Sequence, residues 1–317
     1  MNALATQPDS LSPAISAGVD PIVESIIRTV AYADVFDFAP DGDELQRYLV
    51  GARASRSEVG AGLARARIDG RLAIRDGHIT LPGRSELGAI RQAREPASAL
   101  LMRRALRFAR AVGSLPFVRM VAISGAVAAR NAVAGDDIDL FLVTAPERLW
   151  LARAGAIAVV RLAGLGGDEL CPNYLLSESA LGLDERDLYA ATELAHLVPV
   201  VGRPVYDRLR SANPWTGQLL PNAAGPPTEM DELSPLLPVM RGMAESLLAT
   251  RLGACLEGWE QGRKMARFRA KAQASDDGWL DSAFAADRCK GHFESHRARI
   301  REAYEARSRA AGVEPVW

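Results

Sequence analysis

The chain has 317 residues, of which 48% are hydrophobic and 24% are charged, a composition typical of a globular protein with room for two or three domains. Its net charge of −1 excludes a globally basic surface that would attract nucleic acid, although local basic patches stay open. The cysteines, Cys171, Cys255 and Cys289, are odd in number and widely separated, so they favour neither a disulfide framework nor a zinc site. We expect reduced thiols in a cytoplasmic protein.

Two stretches bear on targeting. Residues 1–20 lack the basic start and apolar centre of a signal peptide, so we expect a disordered leader. Residues 149–165 form the most apolar long stretch, but Arg153 and Arg161 interrupt it. Because a membrane span needs about 20 apolar residues without central charges, this stretch predicts a buried helix and no membrane association.

Residues 21–83 have the element order of a winged helix-turn-helix domain. Apolar spacing and capping residues predict three helices, and a β-hairpin with its turn at Asp76-Gly77 follows. The helices are predicted over 21–34, 41–49 and 55–69. Such domains bind DNA through the third helix or dock on proteins. That helix carries both arginines and acidic residues, so either role stays open.

Residues 84–183 are predicted to form an α/β domain. A basic helical segment over 84–115, with a break at Pro96, precedes three apolar runs that read as strands. The strands are predicted over 117–124, 138–144 and 170–176, with a helix over 147–165. The basic segment is either a solvated helix face or a wall beside a polyanion. Residues 184–317 are predicted to be a helical C-terminal region, with a long helical stretch over 232–274 and a last helix over 295–311.

Three aspartates crowd the second predicted strand. Asp137 and Asp139 are two residues apart, so on a strand their side chains point to the same face, while Ile138 and Leu140 point to the core. Two adjacent carboxylates repel unless a cation lies between them, and hard oxygen ligands suit Mg²⁺. Asp136 is expected to be a turn residue. The pattern therefore predicts a magnesium site, and magnesium commonly brings nucleotide phosphates with it.

Gly125 follows the first predicted strand of this domain and precedes a short helix-like segment. A glycine there allows the backbone to approach a phosphate closely, and the amides at the start of a helix attract anions. The order strand, glycine turn, short helix and Asp-x-Asp strand resembles the polymerase-β-like nucleotidyltransferase superfamily. The segments LWLARAG, LCPNYLL, ERDLYAATELAHLVPVVG, NPW and DRCKGHFESHRARIREAYEAR resemble a bacterial group of that superfamily with an N-terminal winged helix and a helical C-terminal region.

This resemblance implies an α/β (α+β) fold with a nucleotidyltransferase-type mixed sheet flanked by helices. It implies Mg²⁺, or Mn²⁺, as the cofactor and transfer of a nucleoside monophosphate from an NTP such as ATP to a hydroxyl or amine acceptor, with release of pyrophosphate. Asp137 and Asp139 would be the catalytic metal ligands. Nucleotide binding would fall to Ser124, Gly125, Ala126 and Arg130, and Asn173 would occupy the third ligand position.

The chain departs from the family pattern at these positions. Gly-Ser is usual at the phosphate turn, whereas this chain has Gly125-Ala126, and Arg130 either contacts phosphate or blocks the turn. Asn173 stands where a third carboxylate is usual, and an amide is not a base. Four other carboxylates are candidates for that role: Asp168, Glu169, Glu178 and Glu193. A second hypothesis is therefore a catalytically weak or inactive protein that acts as a nucleotide sensor, regulator or scaffold, with its winged helix on DNA or a protein partner.

Overall fold

The computed structural model describes residues 20–164, 169–228, 236, 238–273, 282–291 and 296–317, without the side chains of 269, 271–273, 282–283 and 291. The predicted leader, apart from its last residue, and Asp168 lie outside these residues. Within them the chain is a mixed α/β protein with helices around a mixed sheet. No helix in these ranges is long and apolar enough to cross a membrane.

The N-terminal part contains three helices and a hairpin. Helix α1 covers Pro21–Asp34, α2 covers Gly42–Arg47, α3 covers Arg56–Ile68, and strands β1 (Ala73–Arg75) and β2 (His78–Thr80) pair in antiparallel register. Asp41 and Ser55 begin α2 and α3 with complete capping boxes, in which the third helical residue is a glutamate that bonds back to the cap. The apolar faces of these elements share one core around Ile26, Ile27 and Ile79.

Helix α4 spans Glu86–Gly113 without a break, so the predicted break at Pro96 is wrong. Proline removes one helical hydrogen bond and crowds the carbonyl four residues earlier. Here Pro96 and Gln92 are both exposed, so water can satisfy the carbonyl that the proline leaves without a donor. The helix then continues because Ser98, Leu101 and later residues on its other side are buried.

The sheet has six strands in the order β6-β3-β4-β5-β8-β7. Strand β4 (Ile138–Thr144) is antiparallel to β3 (Val118–Ile123) and parallel to β5 (Leu170–Ser177). These three strands match the predicted ones within two residues. The sequence did not predict β6 (Val198–Val201), β7 (Ser282–Phe284) and β8 (Arg288–Gly291), so residues 184–317, expected to be helical, contribute half of the sheet.

Helices cover both faces of the sheet. On one face, α4 and α6 (Leu149–Gly164) pack on alternate residues of the strands, including Ile138 and Leu140. On the other face, α7 (Leu188–His196) and α8 (Arg203–Ser211) enclose a second core with Phe141 and Val143. Single-turn helices α5 (Gly125–Ala128) and α9 (Thr216–Leu219) lie in the connections.

The last helices are α10 (Pro238–Leu248), α11 (Arg251–Gln273) and α12 (His296–Ala310). The long helical stretch expected over 232–274 is therefore two helices, as far as the structure describes it. Helix α11 lies beside α6. Helix α12 returns to the N-terminal part, where Tyr304 packs edge-on against Tyr32 with ring centroids 5.4 Å apart.

Candidate functional site

The two carboxylates meet at the start of β4. Asp137 directly precedes the strand, Asp139 is its second residue, and the intervening Ile138 points into the core. Carboxylate oxygens of Asp137 and Asp139 and the Cys171 sulfur all lie within 4.8 Å of one another. Asp136 instead accepts a hydrogen bond from the Val133 amide at 2.8 Å, as expected of a turn residue. The spacing of the aspartates therefore produces one shared, partly open face.

Gly125 lies directly against the Asp139 carboxylate. Its φ is +64°, and a Cβ added there would lie 2.2 Å from Asp139 Oδ2. The amide of the preceding residue, the buried Ser124, donates to the Asp139 carbonyl at 3.0 Å and so fixes the turn onto β4. A side chain at position 125 would displace the carboxylate, so glycine is required for the Asp139 position as well as for the backbone conformation.

A β-bulge places Asn173 beside the carboxylates. In the β4–β5 register Asp139 is opposite Cys171 and Phe141 is opposite Tyr174, which leaves Asn173 as the extra residue. Bulges redirect a side chain and are common next to active sites. The Asn173 amide donates a hydrogen bond to Asp139, which favours its charged form. Asn173 therefore orients Asp139, and its amide would have to rotate to offer an oxygen to a cation.

The pKa of Asp139 is raised from 3.8 to about 7, chiefly because burial disfavours its charge. Repulsion from Asp137 and Glu193 adds to this effect, and the Asn173 hydrogen bond opposes it. A divalent cation between Asp137 and Asp139 would lower the pKa of Asp139 again, because its positive charge would compensate both carboxylates. The raised pKa therefore reflects burial first and the neighbouring carboxylates second.

A cleft extends from these residues between the sheet and α7. Ser124, Asn173, Phe141 and Tyr174 line it, and Glu193 lines it from α7. Burial raises the pKa of Glu193 to about 7, and the nearby Lys290 charge opposes the rise. Glu193 is thus a carboxylate that faces the cleft and takes up or releases a proton near neutral pH.

Among the candidate third carboxylates, the described residues bring only Glu193 into this cleft. Glu169 is exposed, and its carbonyl accepts the Ile138 amide at 2.8 Å. Glu178 lies at the far end of β5, where it pairs with Arg208. Asp168 lies outside the described residues.

Two basic side chains also line the cleft, which the sequence did not predict. Lys290 on β8 donates to Glu185 at 2.8 Å and lies above the Tyr174 ring, and Arg297 on α12 pairs with Asp187. Lys290 and Arg297 both line the cleft. Their positions depend on the β8 pairing and on the return of α12, so no local pattern marks them; only the quoted likeness of the segment around them offered a signal.

The predicted nucleotide residues are divided between two places. Ser124 lines the cleft, Gly125 touches Asp139, and Ala126 is exposed in the single turn of α5. Arg130 is exposed with φ +56° and lines a different pocket, with Glu95 and Thr228 among its other lining residues. The structure therefore gathers Ser124, Gly125, Asp137, Asp139 and Asn173, and it places Arg130 apart from them.

Cys171 belongs to the carboxylate cluster although its isolation in the sequence gave no reason to single it out. Burial, with the neighbouring aspartates, raises the pKa of its thiol to about 12. Mg²⁺ and Mn²⁺ prefer hard oxygen ligands to soft sulfur, so the two carboxylates are the ligands expected here. The pairing of β4 with β5 could have identified Cys171, because it lies directly opposite Asp139 on the neighbouring strand.

Two further polar aromatic side chains, His196 and Trp215, serve packing. The His196 ring stacks on Tyr48 with centroids 4.1 Å apart, and burial lowers its pKa to about 4. The Trp215 indole donates to the Asn213 side chain at 3.1 Å and packs against two of the apolar cores.

No family model, no curated protein and no solved structure matches this chain. The functional argument therefore rests on the geometry of the cleft.

Proposed function

We propose that this chain is a nucleotidyltransferase that depends on Mg²⁺ or Mn²⁺ and transfers a nucleoside monophosphate from an NTP to a hydroxyl or amine acceptor, with release of pyrophosphate. One observation carries the proposal. The Asp137 and Asp139 carboxylates converge on an open face against Gly125, at a position that a Cβ would fill. Two hard oxygen ligands beside a glycine turn fit a divalent cation that carries a triphosphate.

Residues at the start of β4, on β5 and in the glycine turn would have distinct roles in this reaction. Asp137 and Asp139 would hold the cation, and Asn173 keeps Asp139 oriented through its hydrogen bond. When bound, the cation neutralises triphosphate charge and acidifies the acceptor hydroxyl. The turn at Ser124–Ala126 would present amides to the phosphates.

Glu193 is the residue that we assign as general base. It lies in the cleft with Asn173, and its pKa near 7 suits a group that accepts a proton at neutral pH and later releases it. Lys290 and Arg297 line the same cleft and would contact anionic groups of the nucleotide or acceptor. Both are paired with carboxylates, so they are held in place before a ligand binds.

We further propose that residues 21–83 are a winged helix-turn-helix domain that contacts a protein partner. On α3, Arg56 pairs with Asp43 and Arg65 pairs with Asp20, which reduces the positive charge available for DNA phosphates. Ile68 is 84% exposed at the end of the same helix. An apolar side chain at the end of a charge-balanced helix suits a protein surface better than a DNA groove.

The proposed activity is tested by pyrophosphate release with each NTP, in Mg²⁺ and in Mn²⁺, across small-molecule, protein and RNA acceptors. The double variant Asp137→Asn/Asp139→Asn should lose at least about 1000-fold in rate, and Glu193→Gln about 100-fold. Asp136→Asn is the matched control, because it removes a neighbouring charge that lies outside the cluster, and it should keep wild-type turnover.

Three outcomes separate the hypotheses. Turnover that survives the double variant would exclude this site. Metal-dependent nucleotide binding without turnover on any acceptor would support the second function, a nucleotide sensor, regulator or scaffold, which the Ala126 and Asn173 departures favour. Absence of both nucleotide binding and turnover would contradict both functions.

A further inference from the structure

Helices α10 and α11 present an unusual surface to solvent. Six large apolar side chains, here called the α10–α11 patch, are each 58% to 74% exposed. They are Val239, Met240, Met243, Leu247, Leu252 and Trp259. The first four lie within about a quarter turn of one another around α10, because their spacing is i, i+1, i+4 and i+8. A cluster of this kind differs from the single exposed apolar residues of ordinary surfaces.

On α10 the charged side chains bond to the protein and the four apolar side chains of the patch face solvent, although Leu248 at the end of the helix packs partly on the core. Arg241 donates to the carbonyls of Gly113 and Val118, and Glu245 accepts from the Phe117 amide at 2.7 Å and from Arg119 at 2.8 Å. These bonds hold the helix against the start of β3. A surface helix normally shows the opposite arrangement, with its apolar stripe on the core.

The first part of helix α11 shows the same reversed arrangement as α10. Its buried Glu257 accepts the amides of Trp150 and Leu151, each at 2.8 Å, at the start of α6. Glu260 is also buried, whereas Leu252 and Trp259 are exposed. Two consecutive helices, one anchored by the half-buried Glu245 and the other by the buried Glu257, therefore both present apolar side chains to solvent, which indicates that another surface covers them.

We propose that the α10–α11 patch is the interface of a two-fold symmetric dimer of this chain. Six side chains of this size and exposure present on the order of 800 Å² of accessible surface, which is the area that each partner contributes to a standard stable interface. The patch therefore suffices for a dimer without any further contact.

The composition of the patch supports a second copy over a charged partner. Between residues 239 and 259, all of which the structure describes, Arg251 is the only exposed charged side chain. Met and Trp with few charges are typical of the core of a homodimer interface. A membrane-binding helix would instead carry lysines and arginines on a polar face beside the apolar one, whereas the charged side chains of α10, Arg241 and Glu245, are bonded to the protein.

The patch also contains notches that can receive its own large side chains. Gly242, Gly258 and Gly262 are exposed, and a Cβ at each would meet nothing within 4 Å. A two-fold interface pairs a surface with itself, so it needs protrusions and hollows in the same patch. Met243 and Trp259 supply protrusions beside these glycines.

Sedimentation velocity of the full chain from about 1 to about 100 μM tests the proposal, because dimer population follows concentration. Met243→Glu should raise the dimer dissociation constant more than about 30-fold, as expected at an interface centre. Leu162→Glu places the same charge on α6, at an apolar position that is 69% exposed like Met243 but lies outside the patch, and should leave the constant unchanged.

A second pair of variants separates interface loss from misfolding. Gly258→Leu fills a notch in the patch, and the new side chain meets no atom of its own monomer within 4 Å at its Cβ. The melting temperature of the monomer should therefore stay the same or rise, while the dimer weakens. Gly164→Leu makes the same change at the end of α6, where a Cβ also meets nothing within 4 Å, and should leave the dimer intact. A 34.0 kDa monomer at every concentration, or a dimer that survives both patch variants, would overturn the proposal. Binding of the monomer to anionic vesicles through the patch would assign the surface to a membrane and overturn it as well.

Discussion

Gly125 is the residue on which the position of Asp139 depends most directly. We expect Gly125→Ala to weaken Mn²⁺ binding more than 10-fold, because the new Cβ would lie 2.2 Å from the Asp139 carboxylate. The left-handed backbone adds a loss of about 1–2 kcal/mol in the free energy of unfolding. Isothermal titration with Mn²⁺ and urea denaturation measure the two effects separately.

Gly135 provides the matched control for this change. Its φ is +95°, but a Cβ there meets nothing within 4 Å. Gly135→Ala should therefore reproduce the loss of stability and keep Mn²⁺ binding. Equal loss of metal affinity in both variants would show that backbone strain, and not contact with Asp139, sets the site.

The raised pKa of Asp139 makes stability depend on pH with a definite sign. The native chain holds this proton more tightly than the unfolded chain, where the pKa is 3.8, so the free energy of unfolding falls as pH rises from about 4 to about 7. Asp139→Asn removes this penalty and should stabilise the metal-free chain by up to about 4 kcal/mol at pH 8, and by less than half as much at pH 5.

Urea denaturation at the two pH values, in the presence of a chelator, measures this difference. Asp136→Asn should show no comparable change between them, because Asp136 lies in the turn and outside the cluster. A variant Asp139→Asn that is less stable than wild type at pH 8 would contradict the view that the cluster is electrostatically strained without a cation.

At the residue scale, the sequence predicted the site residues whose positions depend on neighbours in the chain. It missed the site residues that tertiary contacts bring in from distant segments. The spacing of Asp137 and Asp139 around a core residue determines their common face, so that face follows from strand geometry alone. Cys171, Lys290 and Arg297 reach the same region through strand pairing and helix docking. No periodicity of the chain encodes those partners.

At the element scale Pro96 shows how an exposed position overrides a breaker residue. Pro96→Ala should restore the missing hydrogen bond in α4 and raise the free energy of unfolding by about 1–2 kcal/mol, after the greater freedom of the unfolded chain is subtracted. Urea denaturation provides the measurement. Glu95→Ala, a neighbouring exposed change between good helix formers, should stay within about 0.5 kcal/mol of wild type. A less stable Pro96→Ala would instead indicate that the proline ring contributes to packing or to the rigidity of the helix.

The missed strands have an equally physical cause. Strand β6 contains Pro199 and lies at the edge of the sheet, where a missing amide hydrogen is tolerated, but in the sequence that proline looks like the end of a helix. Strands β7 and β8 are three and four residues long, too short for alternation to be read. Central strands β3, β4 and β5 were predicted because they are longer and more apolar.

At the scale of the whole molecule, Asp34 joins three distant segments. Its buried carboxylate accepts Arg84 Nε at 2.9 Å and pairs with Arg307 of α12, so α1, the start of α4 and the C-terminal helix meet at one charge. Asp34→Asn should lower the free energy of unfolding by about 2–3 kcal/mol, because Arg307 loses its counter-charge and Arg84 keeps only the more exposed Asp37 and Glu86. Proteolytic cleavage near α12 should become faster.

Asp43→Asn is the surface counterpart of that change. Asp43 and Arg56 pair with both side chains at least 70% exposed, and exposed pairs contribute little. The free energy of unfolding of Asp43→Asn should therefore stay within about 0.5 kcal/mol of the wild-type value. If the two variants lose the same stability, the Asp34 cluster is not a junction between segments.

The central claim is that Asp137 and Asp139 hold a divalent cation on which a nucleotide binds. Electron paramagnetic resonance of free Mn²⁺, titrated with the full chain at pH 8 with and without NTP, tests it most directly. We predict bound Mn²⁺ whose affinity rises when NTP is present, loss of binding in Asp137→Asn/Asp139→Asn, and wild-type binding in Asp136→Asn. Failure of the wild type to bind Mn²⁺ with NTP, or equal binding by the double variant, would contradict the claim.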